Sequence, residues 1–455
     1  MPKTIFEPSV QIESLLAAVA SKPAASAGIR AVMERASEFR NPAEAQLTGI
    51  ALDPAGREYA DQLMDDYWAD DVRQNNVLAR WTGVEREVII GSGFHAAAYA
   101  ATRVLSGHQK PLVLERNERA GGCFAMSKTP TFFLNSRNRS GDAGLAGDGG
   151  ASLNYLPGAP IQAANVSMAE YQTNTDMAFV IRLALAQFAE VLTDAQVLSV
   201  ARDGEGIEVD VEGRDPLYAQ NVIDARGLGD PYAQAVANGA TILTFPQFMQ
   251  RMATPWPLRA LRRVGIVGGG DSGKCVAESL LGIAPQPSMA AAALDSVDRI
   301  DWYSNDLPRN CAIWKDEIRG RYQAIGSYLR PDRFGAQRLN VINRRATPVA
   351  LPGAGLIDGR TYDLIVVCTG NTESDVQGLR STDFYEYTTS DGQAVAQRHF
   401  EIPVFRVGPH AKLPFTRQER EDGISNIAAN AASMFRTATK TATLAAILPA
   451  VPTVD

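Results

Sequence analysis

The sequence predicts an α/β fold in which two parallel-sheet domains follow an N-terminal helical extension. Two segments carry this prediction, because each places an apolar strand, a glycine-rich turn and a helix in that order: 87–105 and 263–281. Another apolar strand follows each segment, and strands that alternate with helices are typical of parallel sheets. A strand–turn–helix–strand unit begins a Rossmann-like domain, so we expect two such domains.

Length and composition fit this fold and exclude several other classes of protein. The chain has 455 residues, of which 45% are hydrophobic and 21% charged, and two or three domains are expected. The net charge of -7 argues against a nucleic-acid partner, because such proteins present basic surfaces. No run of about 18 apolar residues is present, so we expect no membrane-spanning helix.

Cysteine usage and the N-terminal residues indicate a cytoplasmic protein. The four cysteines are isolated in sequence and form no CxxC pair, which predicts free thiols rather than a disulfide scaffold. The apolar patch Leu15–Ala20 is short and flanked by Glu7 and Glu13, so a signal peptide is not expected. The histidines and cysteines show no metal-ligand spacing, and we predict no metal site.

Residues 1–85 are predicted to form a peripheral helical extension. Apolar residues recur at three- and four-residue spacing in three segments that prolines separate: Ser14–Ala20, Gly28–Phe39 and Arg57–Trp81. The extension contains no catalytic constellation. We therefore interpret it as an arm that covers a domain or a subunit interface, which is compatible with a homo-oligomer. A lid over a substrate entrance is the alternative.

The remaining predicted elements alternate between strands and helices. Strands are predicted at Glu87–Gly91, Pro111–Glu115, Gln196–Arg202, Gly206–Glu212, Gln220–Ala225, Val264–Val267, Arg299–Ser304 and Asp363–Cys368. Helices are predicted at Ala96–Leu105, Lys274–Leu281 and Ser425–Leu448. Residues 282–295 are rich in Ala and Pro and are expected to form a loop or a short extra helix.

The first glycine-rich turn has the residues that a dinucleotide site needs. It consists of Gly91, Ser92, Gly93, Phe94, His95 and Ala96. Gly91 permits the tight turn, Gly93 lets the backbone approach a pyrophosphate, and the small Ala96 lets helix and strand pack closely. The helix N-terminus presents free N–H groups to the anion. Glu115 ends the next strand, where we expect it to bind the adenosine ribose; the alternative is a turn that only packs.

The second glycine-rich turn repeats this arrangement. It consists of Gly268, Gly269, Gly270, Asp271, Ser272 and Gly273. The following strand ends at Ser304, and no carboxylate occurs before Asp306. A carboxylate at this place binds the 2′-hydroxyl of NAD, so its absence favours NADPH, with NADH left open. Arg309 is the candidate for the 2′-phosphate and is equally compatible with a solvated loop charge.

Four further motifs make the chain resemble the two-dinucleotide-binding-domain flavoproteins. They are Gly121-Gly122 after Glu115 and Arg116, the strand ends Ala225-Arg226-Gly227 and Cys368-Thr369-Gly370, and the late segment Gly408-Pro409. They resemble, in that order, the family's Gly-Gly segment beside FAD, its two Ala-Thr-Gly strand ends and its Gly-Asp segment near the flavin. The sequence departs from the family pattern at Arg226 and Pro409, where Thr and Asp are usual.

The resemblance extends from about residue 87 to the C-terminal helix and implies an FAD domain with an inserted NAD(P)H domain. The first glycine turn, with Glu115, Arg116 and the Gly-Gly pair, would hold FAD. The second turn would hold NADPH or NADH. The implied domains are the helical extension at 1–85, the FAD domain at 86–245 and 371–455, and the NAD(P)H domain at 246–370.

One segment favours the monooxygenase branch of this family. The disulfide reductases of the family need a redox CxxC pair, which the chain lacks. Phe245–Pro257 precedes the second turn and resembles the signature of flavin-containing and Baeyer–Villiger monooxygenases. Gln247 stands where that signature has Gly, Arg251 stands where it has His, and Trp256-Pro257 come one residue late. A linker with an aromatic anchor is the alternative.

A second polar segment resembles the N-hydroxylating monooxygenases. Leu153–Pro157 is similar to a Leu-Asn-Tyr-Leu segment of those enzymes and follows the polar residues Asn135 and Arg137. The resemblance implies that Asn135, Arg137, Asn154 and Tyr155 line the flavin ring or a substrate pocket. A polar loop packed on the FAD domain is the alternative.

The resemblance implies an FAD-dependent, NADPH-using monooxygenase of the class B flavin-dependent type. Such an enzyme inserts one oxygen atom of dioxygen into a small-molecule substrate through a flavin peroxide adduct. Arg251 is the candidate catalytic residue, because a cation near the adduct would stabilise its negative charge. The competing interpretation pairs Arg251 with a surface carboxylate.

Two other functions stay open from the sequence. The first is an NAD(P)H-dependent reductase that passes electrons to a quinone, ferredoxin or other acceptor. The arginine-rich segment 319–345 suits that function, because basic surfaces dock acidic ferredoxins. The second is a flavin-binding protein without turnover that serves as a redox sensor or an assembly subunit.

Overall fold

The structure, a computed structural model, describes the residues 54–81, 87–105, 108–125, 131–137, 171–204, 206–227, 229–231, 241–252, 261–283, 297–304, 325–328, 338–388 and 394–407. The predicted helices Ser14–Ala20, Gly28–Phe39 and Ser425–Leu448 lie outside these residues, as does most of segment 282–295.

The described helices are α1 (Pro54–Trp68), α2 (Asp71–Arg80), α3 (Phe94–Leu105), α4 (Asn174–Phe188), α5 (Phe245–Met252), α6 (Asp271–Leu281) and α7 (Ile325–Tyr328). Short 3-10 turns occur at Gly122–Phe124 and Ser381–Asp383. The described strands are β1 (Glu87–Ile90), β2 (Leu112–Leu114), β3 (Phe133–Arg137), β4 (Tyr171–Thr173), β5 (Glu190–Leu192), β6 (Val197–Asp203), β7 (Gly206–Val211), β8 (Leu217–Ala219), β9 (Asn221–Asp224), β10 (Asp230–Pro231), β11 (Ile242–Thr244), β12 (Arg263–Val267), β13 (Arg299–Tyr303), β14 (Leu339–Ile342), β15 (Val349–Leu351), β16 (Ala354–Ile357), β17 (Arg360–Tyr362), β18 (Leu364–Val367), β19 (Asn371–Thr372), β20 (Phe384–Thr388), β21 (Ala394–His399) and β22 (Val404–Arg406).

The described residues group into two compact units. Unit one contains those that precede 128 together with those in 136–227 and from 374 onward. Unit two contains those in 128–135 and 228–373. The chain therefore leaves unit one and returns to it.

A seven-stranded sheet forms the centre of unit one, in the order β20-β21-β22-β9-β1-β2-β5. The strands from β22 to β5 are parallel, and β20 and β21 are antiparallel at one edge. All four residues of β1 are buried, as expected for a parallel strand covered on both faces. Helices α3 and α4 pack against each other. The antiparallel meander β6-β7-β8 shares a hydrophobic cluster with the sheet.

A five-stranded sheet, all parallel, forms the centre of unit two in the order β11-β18-β12-β13-β14. Successive side chains of a strand point to opposite faces, and β18 packs apolar residues on both of them. Leu364 and Val366 pack in the cluster that includes α5 and α6. Ile365 and Val367 pack in the cluster with Ile357 and Tyr362 of the antiparallel meander β15-β16-β17.

The predicted α/β fold with two parallel-sheet domains is confirmed. The three strands expected between 196 and 225 occur within one residue of their predicted bounds. The predicted helix Arg57–Trp81 is two helices instead. The first ends at Trp68, and Asp70 then accepts a hydrogen bond from the backbone N–H of Arg73 at 2.6 Å as the N-cap of the second helix.

The described residues contain neither a membrane-spanning helix nor a disulfide bond. None of the described helices has both the length and the apolar character that a membrane span requires. Cys123, Cys275 and Cys368 are free thiols, and Cys311 lies outside the described residues.

Candidate functional site

The first glycine-rich turn joins β1 to α3 at the carboxyl edge of the sheet of unit one. Gly91 has a φ of +95°, and a Cβ there would lie 2.8 Å from the carbonyl oxygen of Ala225. Only glycine suits this position, because the backbone is left-handed and the next strand end is close. The backbone N–H of Ala225 donates to the Ile90 carbonyl at 2.9 Å, so the Ala225–Gly227 motif lies directly beside the turn.

Gly93 is different, because the protein itself does not fill the space beside it. A Cβ at Gly93 would meet no atom closer than 4.0 Å, which is the distance to the Cα of Gly122. The N-terminus of α3 follows at Phe94 and offers N–H groups that have no partner within the helix. The open space in front of a helix N-terminus is what the approach of a pyrophosphate requires.

Glu115 lies next to this turn, as its position in the sequence predicts. Its side chain is buried, and one oxygen accepts hydrogen bonds from the Ser92 N–H at 3.2 Å and the Ser92 hydroxyl at 2.5 Å. The other oxygen accepts from the Asn117 N–H at 2.9 Å and the Asn117 amide at 2.6 Å. A carboxylate has about four acceptor sites, so the protein uses all of them. A ribose hydroxyl would therefore replace the Asn117 amide, whose side chain is exposed.

His95 is a neutral ring at this site. Its side chain is buried against Phe94 in an edge-to-face contact, with ring centroids 6.0 Å apart. Burial lowers the pKa of His95 to about 3. Its Nε2 atom has no hydrogen-bond partner within the described part of the chain. Any contact with an anion would thus be a hydrogen bond from a neutral imidazole. The side chain of Arg116 is exposed just after β2.

The second glycine-rich turn joins β12 to α6 in unit two and divides its glycines in the same way. A Cβ at Gly268, which has a φ of +114°, would collide with the carbonyl oxygen of Cys368. A Cβ at Gly273 would collide with the carbonyl oxygen of Gly268. A Cβ at Gly270 would meet nothing within 4 Å. The outer glycines serve packing, and the middle glycine leaves the helix N-terminus open to a ligand.

The other residues of this turn lie around the same edge. Gly269 and Ser272 are half-buried, and the exposed Asp271 accepts an ion-pair contact from Lys274 at 3.2 Å. Thr369 and Gly370 follow β18, and both are exposed. Gly370 has a φ of +95°.

Arg344 is a candidate cofactor residue that the sequence analysis did not single out for this role. The backbone N–H groups of Ser304 and Arg344 both donate to the Ile342 carbonyl at 3.0 Å, so the ends of β13 and β14 meet there. The half-exposed Arg344 guanidinium lies 5.9 Å from the ring centroid of Tyr303 and forms an ion pair with Asp358. In the sequence, the feature that could have identified Arg344 is its place two residues after the strand β14. Arg309 lies outside the described residues.

A buried polar network supports the strand that leads to this edge. Asp301, on β13, accepts hydrogen bonds from the side chains of Arg263, Arg299, Asn340 and Tyr362 at 2.9 Å each. Burial raises the pKa of Asp301, but these bonds outweigh it and lower the pKa to about 2. The Tyr362 hydroxyl also shares a 2.6 Å hydrogen bond with Tyr303. The network fixes Tyr303, the last residue of the strand.

Arg226 explains one departure from the family pattern. Its guanidinium binds Asp224 with bonds of 2.8 and 2.9 Å and donates to the carbonyls of Ser374 at 2.5 Å and Leu379 at 3.0 Å. Arg406 donates to the same Asp224 at 2.9 Å and to the same Leu379 carbonyl at 2.7 Å. A threonine at 226 is too short for these contacts. Arg226 therefore ties β9 to the segment by which the chain returns to unit one.

The segment Phe245–Pro257 begins with a helix rather than a linker. The backbone N–H of Thr244 donates to the Gln247 side chain at 2.8 Å, and the Gln247 N–H donates back to the Thr244 hydroxyl at 3.4 Å. This capping box accounts for Gln247 where the family signature has glycine. Phe245 packs edge-to-face on Phe132, with ring centroids 5.4 Å apart. Arg251 is exposed in the last turn of α5.

Several candidate residues have no described side chain. Asn135 and Arg137 belong to β3, but their side chains lie outside the described part of the structure. Gly408, Pro409, Trp256-Pro257 and Leu153–Pro157 lie outside it entirely. Within the described residues, no group of three or more His, Cys, Asp or Glu side chains is arranged to hold a metal ion.

No family model and no curated protein matches the chain. The FAD-bound cadaverine monooxygenase DfoA of Erwinia amylovora matches with a TM-score of 0.51 at 11% identity, covering 82% of this chain and 96% of that one. An ornithine N-hydroxylase of Kutzneria sp. 744 matches with a TM-score of 0.49 at 15% identity, covering 80% and 100%. Thioredoxin reductase of Lactococcus lactis matches with a TM-score of 0.46 at 14% identity, covering 79% and 98%. The likeness to the Erwinia protein shows that the chain has a fold of two Rossmann-like dinucleotide-binding domains.

Proposed function

We propose that the chain is an FAD- and NADPH-dependent monooxygenase that acts on a small molecule. The observation that carries the proposal is the presence of two glycine turns, each with an open middle glycine before a helix N-terminus. FAD is assigned to the first turn, because Glu115 stands at the ribose position and the Gly121-Gly122 pair adjoins it. NADPH is assigned to the second turn, because no carboxylate ends β13 and Arg344 lies beside that strand end.

The residues of unit one would hold FAD at its adenosine and pyrophosphate end. Gly93 and the first N–H groups of α3 would bind the pyrophosphate, and Glu115 would accept from the ribose hydroxyls. Gly270 and the N-terminus of α6 would bind the pyrophosphate of NADPH in unit two. When bound, FAD supplies redox chemistry with NADPH as the electron donor and dioxygen as the source of the inserted oxygen atom.

The absence of a CxxC pair from the sequence supports a monooxygenase over a disulfide reductase. DfoA, whose fold the chain shares, is a monooxygenase of cadaverine, so a small amine is the first substrate class to test. The alternative is a reductase for a quinone, ferredoxin or other acceptor. Of the arginines that suggested a docking surface, Arg338 donates to the carbonyls of Val297 and Leu280 at 2.6 and 3.1 Å and supports the fold instead.

The deciding experiment measures three quantities on the purified, FAD-loaded chain. They are flavin bleaching by NADPH and NADH without oxygen, the oxygen consumed on re-aeration, and the hydrogen peroxide released with and without amines, sulfides and ketones. A monooxygenase is bleached by NADPH and releases less peroxide, with an oxygenated product, when its substrate is present. Electron transfer to a quinone or ferredoxin without any oxygenated product would establish the reductase. A protein that neither coenzyme bleaches is not this enzyme.

The role of Arg251 has a test of its own. If its guanidinium stabilises negative charge next to the flavin, Arg251→Ala increases the fraction of NADPH that is oxidised with release of peroxide, because loss of one electrostatic contact slows oxygen transfer by roughly 10²–10³-fold. Arg202→Ala, which removes an exposed arginine from β6, is the matched control. Equal peroxide release by the parent and Arg251→Ala leaves Arg251 as a surface residue.

A further inference from the structure

Asp61 and Asp65 form a paired carboxylate site on the N-terminal extension. They lie four residues apart on α1 and thus on the same face of the helix. Like charges at this spacing destabilise an isolated helix, so the pair needs a cationic partner. Both side chains are part-buried, with about a quarter or less of their surface exposed.

The partner is Arg182, a fully buried residue of α4. Its Nε donates to Asp61 at 2.9 Å, and its Nη2 donates to Asp65 at 2.7 Å and to the Asp61 carbonyl at 2.9 Å. The guanidinium also lies 5.1 Å from the ring centroid of Trp68. Arg119 adds bonds to Asp61 at 2.8 Å and to Asp65 at 3.0 Å. A buried guanidinium without its carboxylates is strongly unfavourable, so α1 and Arg182 depend on each other.

Arg182 also contacts the glycine pair that follows Glu115. Its Nη1 donates to the Ala120 carbonyl at 3.0 Å, and its Cγ would lie 3.4 Å from a Cβ at Gly121. The Gly121 N–H donates to the Ser92 hydroxyl at 2.9 Å, and that hydroxyl donates to Glu115. A Cβ at Gly122 would lie 2.8 Å from the Cα of Gly93, so this segment also abuts the first glycine turn.

We propose that Asp61 and Asp65 are positioning residues for FAD. The helical extension holds Arg182, Arg182 holds the Ala120-Gly121 peptide, and that peptide fixes Ser92 against Glu115. This inference rests on the proposed FAD site. It gives the helical extension, which lies outside the family resemblance, a function: to increase the affinity of unit one for FAD.

The test compares isosteric variants of one helix in the full-length chain. FAD is removed, and the dissociation constant of FAD is measured by quenching of flavin fluorescence. The double variant Asp61→Asn/Asp65→Asn is expected to bind FAD at least tenfold more weakly, with the KM for NADPH unchanged. Asp66→Asn is the matched control, because Asp66 is exposed on the same helix and bonds only Gln62 among the contacts the structure shows. It is expected to stay within twofold of the parent.

A second measurement tests whether α1 and the FAD site are coupled and needs no variant. Coupling between two binding events is reciprocal, so FAD must strengthen the docking of α1 as much as α1 strengthens FAD binding. Tryptic cleavage after Arg57, in α1, is therefore expected to slow at least tenfold when the parent chain is saturated with FAD. Equal cleavage rates with and without FAD overturn the proposal even if the variants fail to fold.

The outcomes distinguish this inference from the proposed function. If the parent binds FAD and the double variant binds it equally well, the positioning role is wrong and the proposed function stands. If the parent binds no FAD, both are wrong.

Discussion

At the scale of single residues, the proposed FAD site makes Glu115 the residue expected to determine how tightly the first turn binds the adenosine ribose. Glu115→Gln is expected to raise the dissociation constant of FAD by about 10- to 100-fold, because hydrogen bonds to a charged group contribute roughly 1.5–3 kcal/mol each. Isothermal titration of the FAD-free chain measures this change. The charge matters most, since glutamine keeps the size of the side chain.

A second variant, Asn117→Ala, tests which acceptor of Glu115 the ribose would use. Because a ribose hydroxyl would take the place of the exposed Asn117 amide at Glu115, its removal is expected to leave FAD affinity within about threefold of the parent. If Asn117→Ala weakens FAD as much as Glu115→Gln does, the ribose does not use that acceptor.

Arg344 is expected to set the preference for NADPH. A charge-assisted bond to the 2′-phosphate adds affinity for NADPH alone, so Arg344→Ala is expected to raise the KM for NADPH by about tenfold and leave that for NADH unchanged. Steady-state kinetics with both coenzymes measure this, with the adjacent exposed Arg345→Ala as control. An equal effect on the two coenzymes would assign Arg344 a role in stability through Asp358.

The residues of the glycine turns were predictable, whereas Arg344 and the contact between Arg182 and Asp61 were not. Each turn consists of six consecutive residues, and the backbone conformation of the turn determines which residues it needs. Arg344 reaches the end of β13 only because β14 pairs with it. Arg182 meets Asp61 across 121 residues of sequence, and no local pattern marks such a pairing.

At the scale of elements, the glycines of the second turn separate packing from binding. Gly270→Ala is expected to keep the melting temperature of the parent and to abolish NADPH binding, because its Cβ meets only open space in the protein. Gly273→Ala is expected to destabilise unit two by about 1–3 kcal/mol, since its Cβ collides with a backbone carbonyl and overpacks the turn. Thermal melts and coenzyme titration of both variants test this contrast. Similar melting temperatures for the two variants would show that the outer glycine is not needed for packing.

At the same scale, the start of helix α5 has a local signal in the sequence. Thr244 and Gln247 have the spacing of a capping box, which predicts a helix start at Phe245. The break between α1 and α2 had a similar local signal in Asp70, a good N-cap residue between two apolar segments.

At the scale of the molecule, Arg226 and Arg406 hold the returning chain on unit one. Arg226→Thr, which restores the usual family residue, is expected to lower the free energy of unfolding by about 2–3 kcal/mol. This is less than the roughly 3–5 kcal/mol lost when a buried pair is broken, because Arg406 still binds Asp224. Urea unfolding measures it, and Arg202→Thr on the exposed face of β6 is expected to stay within about 0.5 kcal/mol.

The same cluster predicts a pH dependence. Burial raises the pKa of Asp224, but hydrogen bonds and charge from Arg226 and Arg406 outweigh it and hold the pKa below its usual value. A carboxyl whose pKa is lower in the folded chain stabilises the fold fully above its unfolded pKa of about 3.9, and the stabilisation is lost as the pH falls through the folded value. In Arg226→Thr the folded pKa of Asp224 lies closer to the unfolded value, so less stability is expected to be lost and the loss is complete at a higher pH. An identical acid limb of the stability curve for parent and variant would contradict this.

The pairing of β22 with β9 bears on the order in which the two units fold during synthesis. All five strands of the sheet in unit two are complete once residue 367 has been translated. The sheet of unit one lacks β22 until residue 406. Until then β9 is an edge strand of the nascent chain. Its unpaired N–H and C=O groups can pair with other chains and cause aggregation. Unit two is therefore expected to fold first, and unit one is expected to need a chaperone until residue 406 has been synthesised.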